Sequence, residues 1–321
     1  MINEKIYLWD DRTDCVLHTY ISELAPAARK DTKLPAIIIC PGGAYLSCAM
    51  DNEGEPVVRS FMNAGYQTFC LQYSVAETAQ GNNVRFPQQL IELGKAMLII
   101  KEHADEWHID PQKISIAGFS AGGNLCATYA ARWQDDILSG YFNMPASSFR
   151  PAAAIIVYGI LDYEYQYERE AAAGGNPLML ASARNFFGSE TPTKEQLRQA
   201  SPIAHVSEHT PPMFLVHAAD DSLVFVENTI RFAGELSRQH IPFEVHIYQE
   251  GDHGFGAAVR MGSAFHRKDC VLRAHEWLDS AQNWLLRIVE PQLAEISPAD
   301  PRFYSEYDVE IPEWMNMQKL I

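Results

Sequence analysis

The strongest constraint on the fold is a set of short, unbroken apolar runs: PAIIIC (35–40), ISIAGF (114–119), AAAIIVYG (152–159) and MFLVHAA (213–219). A half-exposed strand alternates apolar and polar residues, whereas continuous Val/Ile/Ala runs of this length suit parallel strands covered on both faces. CVLHTYI (15–21), YQTFCLQYSV (66–75) and FEVHIYQE (243–250) extend the series. Helical patterns lie between them. PVVRSFMNAG runs to a Gly stop, and FPQQLIELGKAMLIIKEHADEWH carries Leu90, Met97, Ile100, Ala104 and Trp107 at helical spacing. RAHEWLDSAQNWLLRIV sets Trp277 and Trp284 on one face. Such alternation predicts an α/β protein with a mostly parallel central sheet flanked by helices.

Two stretches break the rhythm. Residues 163–212, with a Tyr/Glu start, GGNP, a helical stretch and a final Pro pair, are expected to form a small cap insertion over one end of the sheet. Residues 291–321 read as an extension whose Phe303, Tyr304, Tyr307, Ile311 and Trp314 are too apolar for a disordered tail. That extension is expected to pack on the body or on a partner subunit, as in a homo-oligomer. A chain of 321 residues without repeats or a low-complexity linker then reads as one large domain, 1–321. Its net charge of −16 argues against nucleic acid or an anionic membrane as the main partner, since both reward a basic face. No run approaches the roughly 18 apolar residues of a membrane span. MINEKIYLWD lacks the basic start and apolar stretch of a signal peptide. The six cysteines form no CxxC pair and are too sparse for a disulfide scaffold, so free thiols and a cytoplasmic location are expected, with no metal and no cofactor.

The chemistry centres on GFSAG (118–122), where ISIAGF meets a helix rich in small residues. Ser120 there is a favoured N-cap residue, but Gly-x-Ser-x-Gly between a buried strand and a helix is also the pattern of a nucleophile on a tight turn. A serine hydroxyl needs a base to take its proton, usually a histidine held by a carboxylate. Asp220 and Asp221 follow MFLVHAA, and His253 follows FEVHIYQE inside GDHGFG; both places lie at carboxyl ends of strands, where α/β sheets put their binding groups. His18, His217 and His246 fall within strand patterns and His103, His108, His240 and His275 on or near helices, which suits structural histidines. Asp252 reads as a loop-shaping residue. After PAIIIC, the turn Pro41-Gly42-Gly43-Ala44 can aim backbone N–H groups at an oxyanion.

These motifs resemble the α/β-hydrolase esterases related to hormone-sensitive lipase and bacterial acetyl and acetylxylan esterases. The resemblance runs through most of 35–290: IICPGGAY, DNEGEPVVRSFMNAGYQTFCLQYSV, GFSAGGNL, ASPIAHV with PPMFLVHAADDSLV, and GDHGFG. It implies Ser120 as nucleophile, His253 as base and, from the His-Gly-x-x-Asp-x-x-Val register starting at His217, Asp221 as the orienting acid. It also implies oxyanion donors at the N–H groups of Gly43, Ala44 and Ala121. The usual His-Gly-Gly-Gly stands here as Pro41-Gly42-Gly43-Ala44, and Ala218 replaces the Gly of the register; neither change removes a backbone donor.

The function expected is therefore a serine carboxylesterase acting on short acyl esters, acetyl above all, of small molecules or oligosaccharides such as xylo-oligosaccharides. Tyr45 and Phe255 are the candidate substrate-binding residues. One alternative is a serine peptidase of the prolyl-oligopeptidase kind, although only 34 residues precede the first central strand run. A more remote alternative is a non-catalytic binding protein on the same fold.

Overall fold

A computed structural model describes residues 2–24, 31–76, 84–258 and 273–291. Eight strands form one sheet: β1 (Lys5–Trp9), β2 (Arg12–Tyr20), β3 (Leu34–Cys40), β4 (Gln67–Gln72), β5 (Ile109–Phe119), β6 (Ala154–Val157), β7 (Met213–Ala218) and β8 (Phe243–Tyr248). Their spatial order is β1-β2-β4-β3-β5-β6-β7-β8. β1 and β2 pair antiparallel, as do β2 and β4, and every later pairing is parallel. The helices are α1 (Glu55–Asn63), α2 (Gln88–Glu102), α3 (Ser120–Arg132), α4 (Asp136–Phe142), α5 (Tyr163–Ala172), α6 (Pro177–Phe186), α7 (Lys194–Gln199), α8 (Glu227–Arg238) and α9 (Trp277–Val289).

The unbroken runs behave as the period-2 geometry of strands requires, with both faces covered. Ile37, Ile39, Ala117, Phe119, Ile155, Val157, Phe214 and Val216 join one core with Val57, Val58 and Phe61 of α1 and Trp277, Leu278, Ala281 and Leu285 of α9. The alternate positions, Ile38, Cys40, Ile114, Ile116, Ile156 and Leu215, join the other core with Leu90, Leu93, Met97 and Ile100 of α2, Leu125 and Tyr129 of α3, and Phe232 and Leu236 of α8. β1 was not among the expected strands. Its run KIYLW is largely apolar but only five residues long, with Leu8 alone buried, and pairing with β2 across the Asp10–Asp11 turn supplies its order.

Between β6 and β7, α5, α6 and α7 occupy the segment where an insertion was expected. The C-terminal extension lies, beyond residue 291, outside the described residues. Five free cysteines are described, Cys15, Cys40, Cys70 and Cys126 buried and Cys48 partly so; Cys270 lies outside the described residues. No helix among the described residues is long and apolar enough to cross a membrane. Above all, the parallel order gathers the carboxyl ends of β3, β5, β6, β7 and β8 on one edge, where Gly42–Ala44, Ser120, Tyr158, Asp221 and His253 lie.

Candidate active site

Backbone packing builds the turn that presents Ser120. The residue sits at φ 50°, in the left-handed region that non-glycine residues rarely occupy. It persists because the chain folds back tightly around it. A Cβ on Gly118 would lie 2.0 Å from the carbonyl oxygen of Gly122, and one on Gly122 would lie 2.0 Å from that of Cys40 on β3. Both glycines of GFSAG are thus required by close approach of α3 to β5 and β3.

Ser120 Oγ lies 2.8 Å from His253 Nε2, and His253 Nδ1 lies 2.8 Å from Asp221 Oδ2. Asp221 is buried and its carboxylate is fully engaged. Oδ1 accepts from the N–H groups of Leu223 (2.9 Å) and Val224 (2.8 Å), while Oδ2 also receives His217 Nε2 at 3.1 Å. Burial alone would raise this carboxyl, but the hydrogen bonds from His217 and His253 outweigh it and hold Asp221 well below the usual carboxylate range. For His253 burial would likewise favour the neutral ring; the hydrogen bond to Asp221 and its charge, followed by the charges of Glu53 and Asp252, reverse this and raise the imidazole above its ordinary value. Asp220 is exposed and spends Oδ1 on the Asp252 N–H (2.8 Å) instead of on the histidine. Asp252 in turn accepts from the Ser222 N–H and hydroxyl, tying its loop to the one after β7.

The turn after β3 holds Gly43 and Ala44, whose N–H groups were expected to serve an oxyanion. Gly43 stands at φ 127°, Ala44 at 55° and Tyr45 at 57°, three consecutive left-handed residues, two of them bearing side chains. The carbonyls of Gly42 and Gly43 accept from Ala49, Leu46 and Ser47 and so turn into the loop. Gly43, Ala44, Ser120 and His253 line a common cleft of about 340 Å³ with Leu46, Ser47, Asp51, Leu178 and Leu223. Ala121 is the second residue of α3, next to the serine, where a helix N-terminus leaves N–H groups unbonded within the helix.

Tyr45 and Phe255 are corrected as substrate contacts. Both are buried behind the cleft wall: Tyr45 stacks on Phe186 at 3.9 Å and donates its hydroxyl to Asn124, and Phe255 packs edge-on to Tyr158. Apolar aromatic rings next to a motif fill the core as readily as they line a pocket. Conversely, His217, expected to be structural, reaches the acid directly while Thr229 Oγ1 and the Val224 carbonyl hold its ring. Its signal was the His-to-Asp spacing of four. Asn52, Glu53 and Tyr158 also meet the site, although no role was expected of them and no spacing in the sequence joins them to it.

This strand order, with a strained serine between the central strand and its helix and with acid and histidine following later strands, defines an α/β-hydrolase. Within that class, a family model described as BD-FAE matches residues 23–236, and the chain belongs to that family. Among similar proteins, endo-1,4-β-xylanase B of Butyrivibrio fibrisolvens is 31% identical over 71% of this chain and 33% of its own length. The acetylxylan esterase of Xylanibacter ruminicola is 27% identical over 80% of this chain and 46% of its own. The chain therefore spans less than half the length of these two relatives. A solved structure of an acetyl ester-xyloside bifunctional hydrolase from Caldicellulosiruptor lactoaceticus superposes with a TM-score of 0.69 at 26% identity, covering 92% of this chain and 97% of that one.

Proposed function

We propose that this protein is a serine carboxylesterase that removes short acyl groups, chiefly acetyl, from carbohydrate or other small-molecule esters. The observation that carries the reading is the continuous hydrogen-bonded run Asp221–His253–Ser120, opening into a cleft beside the Gly43–Ala44 turn. Asp221 accepts the Nδ1 proton of His253 and so leaves the Nε2 lone pair facing Ser120. His253 takes the Ser120 proton as Oγ adds to the ester carbonyl, and the N–H groups of Gly43, Ala44 and Ala121 receive the developing oxyanion. Each such donor is typically worth about 2.7–4 kcal/mol. The tetrahedral species collapses, His253 Nε2 returns the proton to the departing alcohol oxygen, and an acyl-Ser120 ester remains. Water, losing a proton to the same nitrogen, then adds to the acyl carbonyl; collapse breaks the acyl–Oγ bond, reprotonates Ser120 and releases the carboxylic acid.

Two features favour a short acyl group and a hydroxylated alcohol. A cleft of about 340 Å³ is at the small end of ligand pockets. Its lining mixes Ser47, Asp51 and Asn52 with Leu46, Leu178 and Leu223, a blend that suits a sugar ring. The names of the xylan-processing relatives point the same way. The segment bearing α5 to α7 acts in this reading as a cap, since Leu178 of α6 reaches the cleft. Free buried thiols suit a reducing cytoplasm.

The test is a series of p-nitrophenyl esters of increasing chain length, run beside acetylated xylo-oligosaccharides and a prolyl amide, with Ser120→Ala as control. Acetate is expected to be cleaved fastest, and Ser120→Ala to reduce turnover to background with an unchanged circular dichroism spectrum. Retained activity in Ser120→Ala removes the mechanism; preference for the amide or for long acyl chains removes the substrate assignment.

A further inference from the structure

A second buried carboxylate lies on the other side of the site from Asp221. Glu53 belongs to a short turn, Met50–Gly54, that leads into α1, and it is 4% exposed. Its Oε2 accepts the N–H of Gly42 at 2.6 Å, at the start of the turn that carries the oxyanion donors. Its Oε1 accepts the hydroxyl of Tyr158 at 2.8 Å, and that hydroxyl accepts the N–H of Gly256 at 2.8 Å, three residues past His253. Asn52, beside it, donates to the carbonyl of Gly254 at 2.8 Å. One turn of the chain therefore holds the donor loop and the segment that follows the histidine. The fit is close, since a Cβ on Gly42 would lie 2.6 Å from Glu53 Oε2 and 2.7 Å from Ser120 Cβ. Tyr158 is kept at φ 38°, and its ring lies 4.9 Å from the His253 imidazole. A large side chain in that backbone region is costly and persists only where its surroundings enforce it.

Nothing in the hydrolytic cycle requires a carboxylate here. An apolar side chain with a turn-capping backbone could close the fold, and burying a charge without function is expensive. We propose that Glu53 is a positioning residue that clamps the oxyanion loop to the histidine loop through Gly42 and Tyr158, and whose negative charge shares with Asp221 the stabilisation of His253 when it carries the Ser120 proton. The inference rests on the esterase reading for its kinetic consequence but not for its electrostatic one. The titratable and charged groups facing His253 are Asp221 from the loop after β7, Glu53 from the turn before α1, Asp252 from its own loop and the Tyr158 phenol from the end of β6; Ser120 stands at the N-terminus of α3. Among the carboxylates that raise the imidazole, Glu53 is the next contributor after Asp221.

The test titrates His253 in the intact protein by imidazole NMR, its signal assigned with His253→Ala, in wild type, Glu53→Gln, Glu53→Asp and Tyr158→Phe. Glu53→Gln keeps the shape and removes the charge, so the His253 midpoint is expected to fall by about half a unit or more. Because the base acts as the neutral ring, the acidic limb of kcat/KM for p-nitrophenyl acetate moves to lower pH by the same amount. At its plateau kcat drops roughly tenfold, as the imidazolium of the transition state loses a partner, while KM stays within about twofold. Glu53→Asp restores part of the midpoint. Tyr158→Phe, which breaks only the hydroxyl bridge, lowers kcat in the same direction and decides the clamp if Glu53→Gln does not fold. An unchanged His253 midpoint in folded Glu53→Gln overturns the proposal, even if activity falls with stability; so does unchanged kcat in Tyr158→Phe. A wild-type protein that cleaves no ester sinks the esterase reading alone, and the titration still decides the charge of Glu53.

Discussion

The serine turn and the histidine loop bring Ser120 Oγ and His253 Nε2 to 2.8 Å, yet they are held by opposite means. Around Ser120 the restraint is local backbone packing: a strand, a left-handed residue, a helix, and two glycines whose neighbours leave no room for a methyl group. The loop of residues 251–258 forms neither a helix nor a strand. Side chains from four distant places hold it: Asp220 on the Asp252 N–H, Asn52 on the Gly254 carbonyl, Tyr158 on the Gly256 N–H and Trp277 Nε1 on the Gly256 carbonyl. Ser120 is thus fixed by what cannot fit, and His253 by what reaches it. The first kind of restraint fails all at once, and the second is lost one hydrogen bond at a time.

Gly122→Ala breaks the comparison most severely. The new methyl group would meet the Cys40 carbonyl at 2.0 Å, backbone against backbone, so the elbow and β3 must move apart. We expect loss of esterase activity to background and a fall in Tm of roughly 10 °C or more. Gly234→Ala on α8, where a Cβ meets nothing within 4 Å, is the matched control and is expected to stabilise by about 0.5–1 kcal/mol through helix propensity. Differential scanning fluorimetry with p-nitrophenyl acetate turnover measures both. A Gly122→Ala protein with wild-type Tm would show that the turn is not held by steric exclusion.

The same contrast governs what the sequence revealed. GFSAG was legible because local packing demands specific residue types at adjacent positions, so the constraint is written within five residues. The strand runs were legible because coverage on both faces removes polar residues from both. His253 and the Asp220–Asp221 pair were found by their places after strands, and the register implied by the family resemblance singled out Asp221. Glu53 and Tyr158 were not found: they lie 105 positions apart, and nothing in DNEGEP or IIVYG marks one as the partner of the other. Tyr45 and Phe255 were misread because adjacency to a motif does not fix which way a ring turns. β1 was missed because IYLW is a short run at the sheet edge whose strand character depends on its pairing with β2.

Within the histidine loop's supports, Asp221 and Asp220 separate a reacting-site bond from a loop tie. Asp221→Asn leaves the shape but offers an amide where His253 and His217 now find a carboxylate oxygen, and the neutral side chain cannot balance the imidazolium. A fall in kcat of roughly 10³–10⁴-fold is expected, the scale seen when such an acid becomes an amide. Asp220→Asn retains an oxygen for the Asp252 N–H and is expected to stay within about threefold, since a single exposed hydrogen bond is worth on the order of 0.5–1.5 kcal/mol before replacement. The reverse ranking in steady-state kinetics would assign the acid to Asp220 and undo the geometry argued from Asp221.

Trp277→Phe gives a far smaller effect than Asp221→Asn and sharpens the comparison furthest. The indole of Trp277 is fully buried on α9, packs edge-on to Phe119 at 5.7 Å, and donates Nε1–H to the Gly256 carbonyl at 2.9 Å. Phe keeps most of the ring contact and removes the donor. The cost is about 1–2 kcal/mol for the lost bond and the space left behind. Trp284 stands seven residues along the same helix, packs on Phe214 at 5.5 Å and has no part in the loop, so Trp284→Phe supplies a comparable packing loss without the tie. Both variants are expected to lower Tm by a few degrees. Only Trp277→Phe should lower kcat, by about fivefold or less, with KM unchanged, because freeing Gly256 lets His253 leave the line between Asp221 and Ser120 part of the time. Equal kcat in the two variants would mean that Gly256 is already fixed by Tyr158, placing the whole restraint of the base on the Glu53 side of the site.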